Sequence, residues 1–344
     1  MKKISLLTIA ALLFASVSLI GCAPSEQDSS QDSFSKGEGW YPGTIKAGHL
    51  VALDMAPLFI AKEKGYFKEM GIDVETVFFS NPGDNNAALA GDSIQFSTNP
   101  FTLPYFGENS GVPMRIISSA GGLGIIQVVA QGELGVQTSD DLATLIKENP
   151  EKKIRIGVLQ GDTLEMIVRK MLTDRDITYE QVEMVWFNDL LAMVQSFKTK
   201  DIDVLSHIKP YTTDLEVNYG AVTLTDNNTE WGHGTPNCTV AVLEDFMTKY
   251  PNTIEAYLKA LNKGFEFIVR NPDEAATILD EGNYYKVDKE VLDYAFSTQP
   301  KEVVLQPNVK GMMMAIEDLA SMGYIDSPKI DIVHSEFLQK NNIK

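Results

Sequence analysis

The sequence predicts an α/β protein of two domains facing each other across a cleft, followed by a helical extension. Three observations carry that prediction. Short apolar strand runs alternate with helical stripes in two successive blocks, the pattern of α/β domains built on parallel sheets. The chain has 344 residues, enough for about two domains, and is 44% hydrophobic and 22% charged, an ordinary globular make-up. Beyond about residue 250 the strand signal stops and only helical periodicity remains.

Local pattern sets each element. In the first block, 44–50 is a strand, and Asp54 stands where it can cap a helix carrying Met55, Leu58 and Phe59 on one stripe. Pro57 is tolerated in that first turn and Gly65 ends the helix. A strand at 72–79 runs into the turn Asn81-Pro82-Gly83 and a short helix at 84–90. Strands follow at 94–97, 114–118 and 127–131. In the second block Ser139 caps a helix to about 149, and 155–159 is a strand. Asp162 opens a helix with Leu164, Ile167, Val168, Met171 and Leu172 on one face. Strands at 182–186, 204–207 and 239–243 alternate with helices carrying Leu190, Met193, Val194 and Phe197, and then opening at Pro210. The extension begins with one clean face, Ile254, Tyr257, Leu258, Leu261, Phe265 and Ile268. Shorter helices are expected at 273–281, 288–296, 308–322 and 333–340.

The N-terminus reads as an address. Lys2 and Lys3 precede an apolar run at 4–20 that ends at Gly21-Cys22. A cysteine where the apolar run stops resembles a bacterial lipobox. That implies a signal peptide at 1–21, cleavage before Cys22 and lipidation of its sulfur, with 22–43 as lipidated cysteine and flexible tether. The protein is then exported and membrane-anchored, on the outer side of the cytoplasmic membrane or in the periplasm. Cys238 is the only other cysteine and is expected buried and inert. The net charge of -18 repels phosphate backbones, so no nucleic-acid partner is expected.

The run at 56–67, A-P-L-F-I-A-K-E-K-G-Y-F, followed by G-I-D-V-E at 71–75, resembles the solute-binding proteins of bacterial importers for nitrate, taurine, aliphatic sulfonates and thiamine-precursor pyrimidines. Further matches at 87–96, Gly157-Val158, 201–204 and 271–276 extend the likeness over most of 44–280. The resemblance implies a type II periplasmic-binding-protein fold: two α/β domains around a ligand cleft, with a C-terminal helical extension. Crossovers are expected near 131–138 and 236–240, giving 44–132 plus 239–344 as domain 1 and 133–238 as domain 2. The implied function is capture of a small solute by domain closure and its delivery to an ABC permease and ATPase. The protein would be a monomer, not an enzyme, and would need no cofactor or metal. The first expectation for the ligand is a sulfonate or taurine-like solute. The alternatives are a thiamine-precursor pyrimidine or other vitamin-like heterocycle, or nitrate.

In that family the ligand sits at loops following strands. Position by position, this implies His49, Asp54, Thr98, Asn99 and Gly122 in domain 1. In domain 2 it implies Gly161, Asp162, Thr163, Phe187, Asn188, Lys209 and Tyr211. Several stand at helix starts, where unpaired amides favour an anion. Thr98, Asn99 and Thr163 add neutral donors, and Lys209 a weak anion contact. Thr98 and Asn99 serve equally well as helix caps, and Asp162 with Glu165 matches a capping box. Phe101, Tyr105, Trp186, Phe187, Tyr211 and Trp231 flank loops and offer faces to a flat ring. His49, His207, His233 and Cys238 lack converging metal-ligand spacing. Hydrolase, zinc-protease, P-loop and dinucleotide motifs are absent from the sequence.

Overall fold

The computed structural model describes residues 37–299, 301–302, 304–329 and 331–343. The signal peptide and Cys22 lie outside the described residues. Strands β1 Ile45–His49, β2 Val74–Phe78, β3 Phe96–Pro100 and β4 Met114–Ser119 belong to lobe 1. Strands β5 Ile126–Ala130, β6 Arg155–Leu159, β7 Glu183–Phe187, β8 Val204–Ile208 and β9 Val222–Asp226 belong to lobe 2, and β10 Cys238–Leu243 returns to lobe 1. The connecting helices are α1 Ala56–Glu63, α2 Tyr66–Glu69, α3 Pro82–Ala90, α4 Leu103–Asn109, α5 Ser139–Glu148, α6 Thr163–Thr173, α7 Leu190–Lys198, α8 Tyr211–Tyr219 and α9 Asn227–Trp231. After β10 come α10 Glu244–Lys249, α11 Pro251–Arg270, α12 Pro272–Glu281, α13 Lys289–Ser297, α14 Val309–Ser321 and α15 Glu336–Lys340.

The two sheets run β2-β1-β3-β10-β4 and β7-β6-β8-β5-β9. In each, the strand that has just crossed from the other lobe is antiparallel: β10 against β3 and β4, β5 against β8 and β9. The remaining pairs are parallel, so both sheets turn their carboxyl edges to the seam between the lobes.

Sheet pairing moves both expected crossovers. β5 pairs with β8 from Ile126↔Ile208 to Ala130↔Val204, so the chain enters lobe 2 over 120–125 and not near 131–138. An apolar run such as I-Q-V-V-A carries no mark of which sheet it joins. Three glycines of the true crossover, Gly121, Gly122 and Gly124, have φ of 109°, 75° and 58°, a region that favours glycine. The return lies over 227–237, because V-T-L-T-D at 222–226 forms an edge strand that its threonines disguised.

Most helices begin and end where periodicity placed them, but two caps differ. Thr138, not Ser139, caps α5: its hydroxyl accepts from Asp141 N at 3.1 Å, and Asp141 returns a bond to Thr138 N. Asp54 lies in a short turn before α1 and bonds elsewhere. The tether expected over 22–43 is docked at its described end. The carbonyls of Glu38 and Gly39 accept from Asn252, and Tyr41 N donates to Thr253 Oγ1 at 2.8 Å.

The α11 face is buried as its periodicity requires, and it crosses α1 at Gly264, where a Cβ would stand 2.3 Å from Pro57 O. The extension also reaches lobe 2. Arg169 of α6 pairs with Asp318 of α14 at 3.4 Å, and Tyr324 OH donates to Glu165 at 3.1 Å. Among the described residues, no helix is long and apolar enough to cross a membrane.

Candidate functional site

The seam between the lobes is closed by direct contacts. Leu53 N donates to Lys209 O at 2.8 Å, and Asn81 Nδ2 to Asn188 O at 2.6 Å. Two carboxyl groups lie buried at its centre. Asp54, in the turn after β1, is 1% exposed, and its Oδ2 accepts from Cys238 N at 2.9 Å. Burial pushes its pKa up to about 7, partly offset by hydrogen bonding from Cys238 and Asn237. Asp162, after β6, is 4% exposed. Its Oδ1 accepts from Leu164 N at 3.0 Å and so caps α6. Burial pushes this carboxyl up to about 6, opposed by those bonds and reinforced by the charge of Glu165. Burial, reinforced by the charges of Asp54 and Asp162, raises the Cys238 thiol well above its ordinary range.

Thr163 and Asn237 complete the centre. The Thr163 hydroxyl stands 3.0 Å from both Asp162 Oδ1 and Asn237 Oδ1, so its single proton serves one at a time. Among the described residues, the buried acceptors Asp54 Oδ1, Asp162 Oδ2, Asn99 Oδ1 and, at the cleft, Asn86 Oδ1 have no hydrogen-bond partner. Asn99 is held through Nδ2, which donates to Pro82 O at 2.9 Å. Pro82 and Asp162 line two spaces. One is a deep cavity of about 10 Å³, the other a cleft of about 440 Å³ walled by Asn81, Phe106, Gly161, Phe187 and Asn188.

The sequence-predicted residues therefore divide. Gly161, Asp162, Phe187 and Asn188 line the cleft, Thr163 stands behind Asp162, and Asn99 is tied to Pro82. Thr98 and Asn99 lie inside β3, paired with Val240 and Thr239, and cap no helix. Thr98 is buried in the lobe 1 sheet, and its carbonyl accepts from Asn85 Nδ2 at 3.0 Å. His49 packs its ring edge on Phe59 at 4.7 Å, and burial lowers its pKa to about 4, which keeps it neutral. The Lys209 ammonium bonds Thr298 Oγ1 at 3.2 Å, and burial lowers its pKa. Tyr211 OH accepts from Lys286 N at 3.4 Å. Gly122 and Asp54 line another pocket, beside the first crossover.

Helix starts at the cleft are partly capped by their own side chains. Asn81 Oδ1 accepts from Gly83 N and Asp84 N, Asp162 caps α6, and Asp189 Oδ1 accepts from Ala192 N. The amides of Gly83, Asp84, Leu164 and Ala192 are thus already taken. Of the aromatic residues singled out, Phe187 reaches the cleft. Phe101, Tyr105 and Trp231 are buried in the core, and Trp186 is exposed. Sequence reasoning missed Asn81, Phe106 and Asn237. Asn81 was legible only as turn punctuation, and nothing local marked Phe106 or Asn237. Among the described residues, no cluster of His, Cys, Asp and Glu could hold a metal ion.

The sequence profile of the NMT1-like family matches residues 41–279. Among curated proteins, the chain is 24% identical over 265 residues to the bicarbonate transport ATP-binding protein CmpC of Synechococcus elongatus, across 74% of this chain and 40% of that protein. The chain thus spans less than half the length of that relative. It is 24% identical to the formylaminopyrimidine-binding protein of Halalkalibacterium halodurans, across 80% of each. The solved structure of the alkanesulfonate-binding protein SsuA from Xanthomonas axonopodis pv. citri, bound to MOPS, superposes with a TM-score of 0.70 at 14% identity. That match covers 85% of this chain and 98% of SsuA. The structural likeness shows the fold, the type II periplasmic-binding arrangement.

Proposed function

The chain belongs to the NMT1-like family, and from that premise we propose that it is the solute-binding component of an ABC importer, closing its lobes over a small amino-bearing heterocycle of the aminopyrimidine class. One observation supports this ligand class over the sulfonate expected first. Residues lining the cleft carry unpartnered buried acceptors, Asp162 Oδ2 and Asn86 Oδ1. A buried acceptor without a partner costs about 1–3 kcal/mol, and more when charged. A ligand with several N–H groups supplies the missing donors. The exocyclic amino group of such a ring carries two N–H donors. Phe106 and Phe187 give its faces apolar walls.

A taurine-like zwitterion is the second reading, because its ammonium also satisfies Asp162. Its sulfonate, however, would meet helix starts already capped by Asn81, Asp162 and Asp189. Nitrate offers no donor at all. Closure works through differential affinity: the solute binds the closed arrangement more tightly than the open one and shifts the population. Delivery to a permease and its ATPase, export, and anchoring through a lipidated Cys22 complete the proposal. The N-terminal pattern and the family support these steps. For the anchor, Cys22→Ala abolishes acylation.

The test is a melting series of the chain from residue 37 with an aminopyrimidine, taurine, an alkanesulfonate and nitrate. The aminopyrimidine should raise Tm most, since a ligand at about 100 times its Kd adds about 2.7 kcal/mol. Stabilisation by nitrate or a simple alkanesulfonate, with none by the aminopyrimidine, would overturn the ligand class.

A further inference from the structure

A separate pocket of about 190 Å³ lies beside the first crossover. The start of α1, residues 122–125, α11 and the segment after α13 enclose it. Its walls are largely apolar, with Leu53, Ile125, Phe265, Ile268 and Phe296 among them. Asp54 and Gln299 interrupt that apolar lining, and Asp273, Ser297, Lys301 and Glu302 also border it. Gln299 Oε1 accepts from Leu123 N at 3.0 Å, which fixes the amide group. Its Nε2 is buried and has no partner. Asp54 uses Oδ2 on Cys238 N and leaves Oδ1 unpartnered. An unsatisfied donor and an unsatisfied acceptor therefore line one apolar pocket. The closing of the lobes does not account for either atom.

We propose that this pocket is a second ligand site, distinct from the cleft, for a single-ring amide or lactam. The guest's carbonyl accepts from Gln299 Nε2, and its N–H donates to Asp54 Oδ1. The ring lies among Phe265, Ile268 and Phe296. The size agrees with one ring: an apolar cavity of about 150 Å³ takes up benzene, and this pocket is somewhat larger. Complementary polar atoms add what a purely apolar cavity lacks, a fixed orientation and selectivity for a guest carrying both a donor and an acceptor.

The pocket also borders the moving parts. Residues 122–125 carry the chain from one lobe to the other, and Leu53 donates across the seam to Lys209. A guest here contacts the crossover and the turn that meets lobe 2.

Benzamide is the probe, added to the full described chain and followed by saturation-transfer NMR and by melting. In the wild type it should bind saturably, raise Tm, and remain bound when the cleft is filled by whichever solute the melting series selects. Gln299→Leu removes the donor and should weaken benzamide binding about tenfold. Ala56→Phe fills the pocket and should abolish binding. Neither change should alter affinity for the cleft solute. Phe187→Ala, in the cleft, should leave benzamide binding unchanged. If Ala56→Phe fails to fold, Gln299→Leu still decides. Absence of saturable binding at millimolar benzamide would overturn the proposal. So would binding indifferent to Gln299→Leu, or benzamide displaced by the cleft solute and lost in Phe187→Ala. None of these readings depends on which solute the cleft takes, so the two proposals fail separately.

Discussion

The interface of α1 with α11 is packed chiefly with apolar side chains, whereas the seam between the two lobes buries two carboxyl groups, Asp54 and Asp162. At the first, Gly264 lets α11 approach Pro57 O, and Leu58 and Leu261 are buried alongside it. Each fully buried side chain of this kind contributes roughly 1.5–3 kcal/mol. At the second, Asp54 and Asp162 sit in low dielectric, each with one oxygen unpaired and no ion pair among the described residues. That arrangement costs stability. A seam that only had to hold would resemble the first. The second is built to be completed by something else, which is what a closing binding protein requires.

The largest expected effect is at the first seam. Gly264→Val places a branched side chain against backbone that cannot move aside, and we expect a loss of about 3 kcal/mol in denaturant unfolding. Solute affinity in the surviving folded fraction should be unchanged. If stability were unaffected, the contrast between the seams would lose its first half. At the second seam the order reverses. Asp162→Asn keeps an oxygen to cap α6, so stability changes little. Affinity for an amino-bearing solute should fall by about 2 kcal/mol, or about thirtyfold in Kd, measured by calorimetry.

Titration sharpens the comparison. The carboxyl of Asp54 is raised to about 7 in the folded chain, against about 4 for an ordinary aspartate. The folded state therefore holds a proton more tightly than the unfolded state over that interval. Its ionised form weakens the fold progressively from about pH 4 to about pH 7 and fully above that. Asp54→Asn should thus gain stability relative to wild type as pH rises through this window, and then level off. His49 and His207, both lowered to about 4 by burial, titrate equally in the two proteins and cancel from the difference. A flat difference between paired melting curves would mean that Asp54 is not held in an apolar site.

The smallest expected effect is at Lys209. Its ammonium is turned to Thr298 and its carbonyl makes the contact across the seam. Lys209→Met should leave solute affinity unchanged by titration calorimetry. A marked loss would return an anion contact to the site.

The two seams also differ in how far they could be read in advance. The α11 face was legible because its apolar residues recur at helical spacing, and burial follows from that alone. Asp162 was legible as a cap from D-x-x-E, and it is one. Its second role, as a buried acceptor at the seam, depends on Thr163 meeting Asn237, residues 74 positions apart. No local pattern encodes that meeting. Strand β5 shows the same limit: its apolar run was evident, but its pairing with β8 was not, so the first crossover was expected too late. Edge strand β9 escaped notice because alternating threonines dilute a short run. His49, Lys209 and Tyr211 follow strands as cleft residues do, but each spends its polar atoms on other neighbours.

The most direct test of the central claim is calorimetric titration of an aminopyrimidine into wild type and Asp162→Asn at neutral pH. The account predicts saturable binding at one cleft site and a Kd about thirtyfold weaker in the variant. Equal affinity in the two proteins would contradict it, because the buried carboxylate at the seam would then have no part in holding the solute.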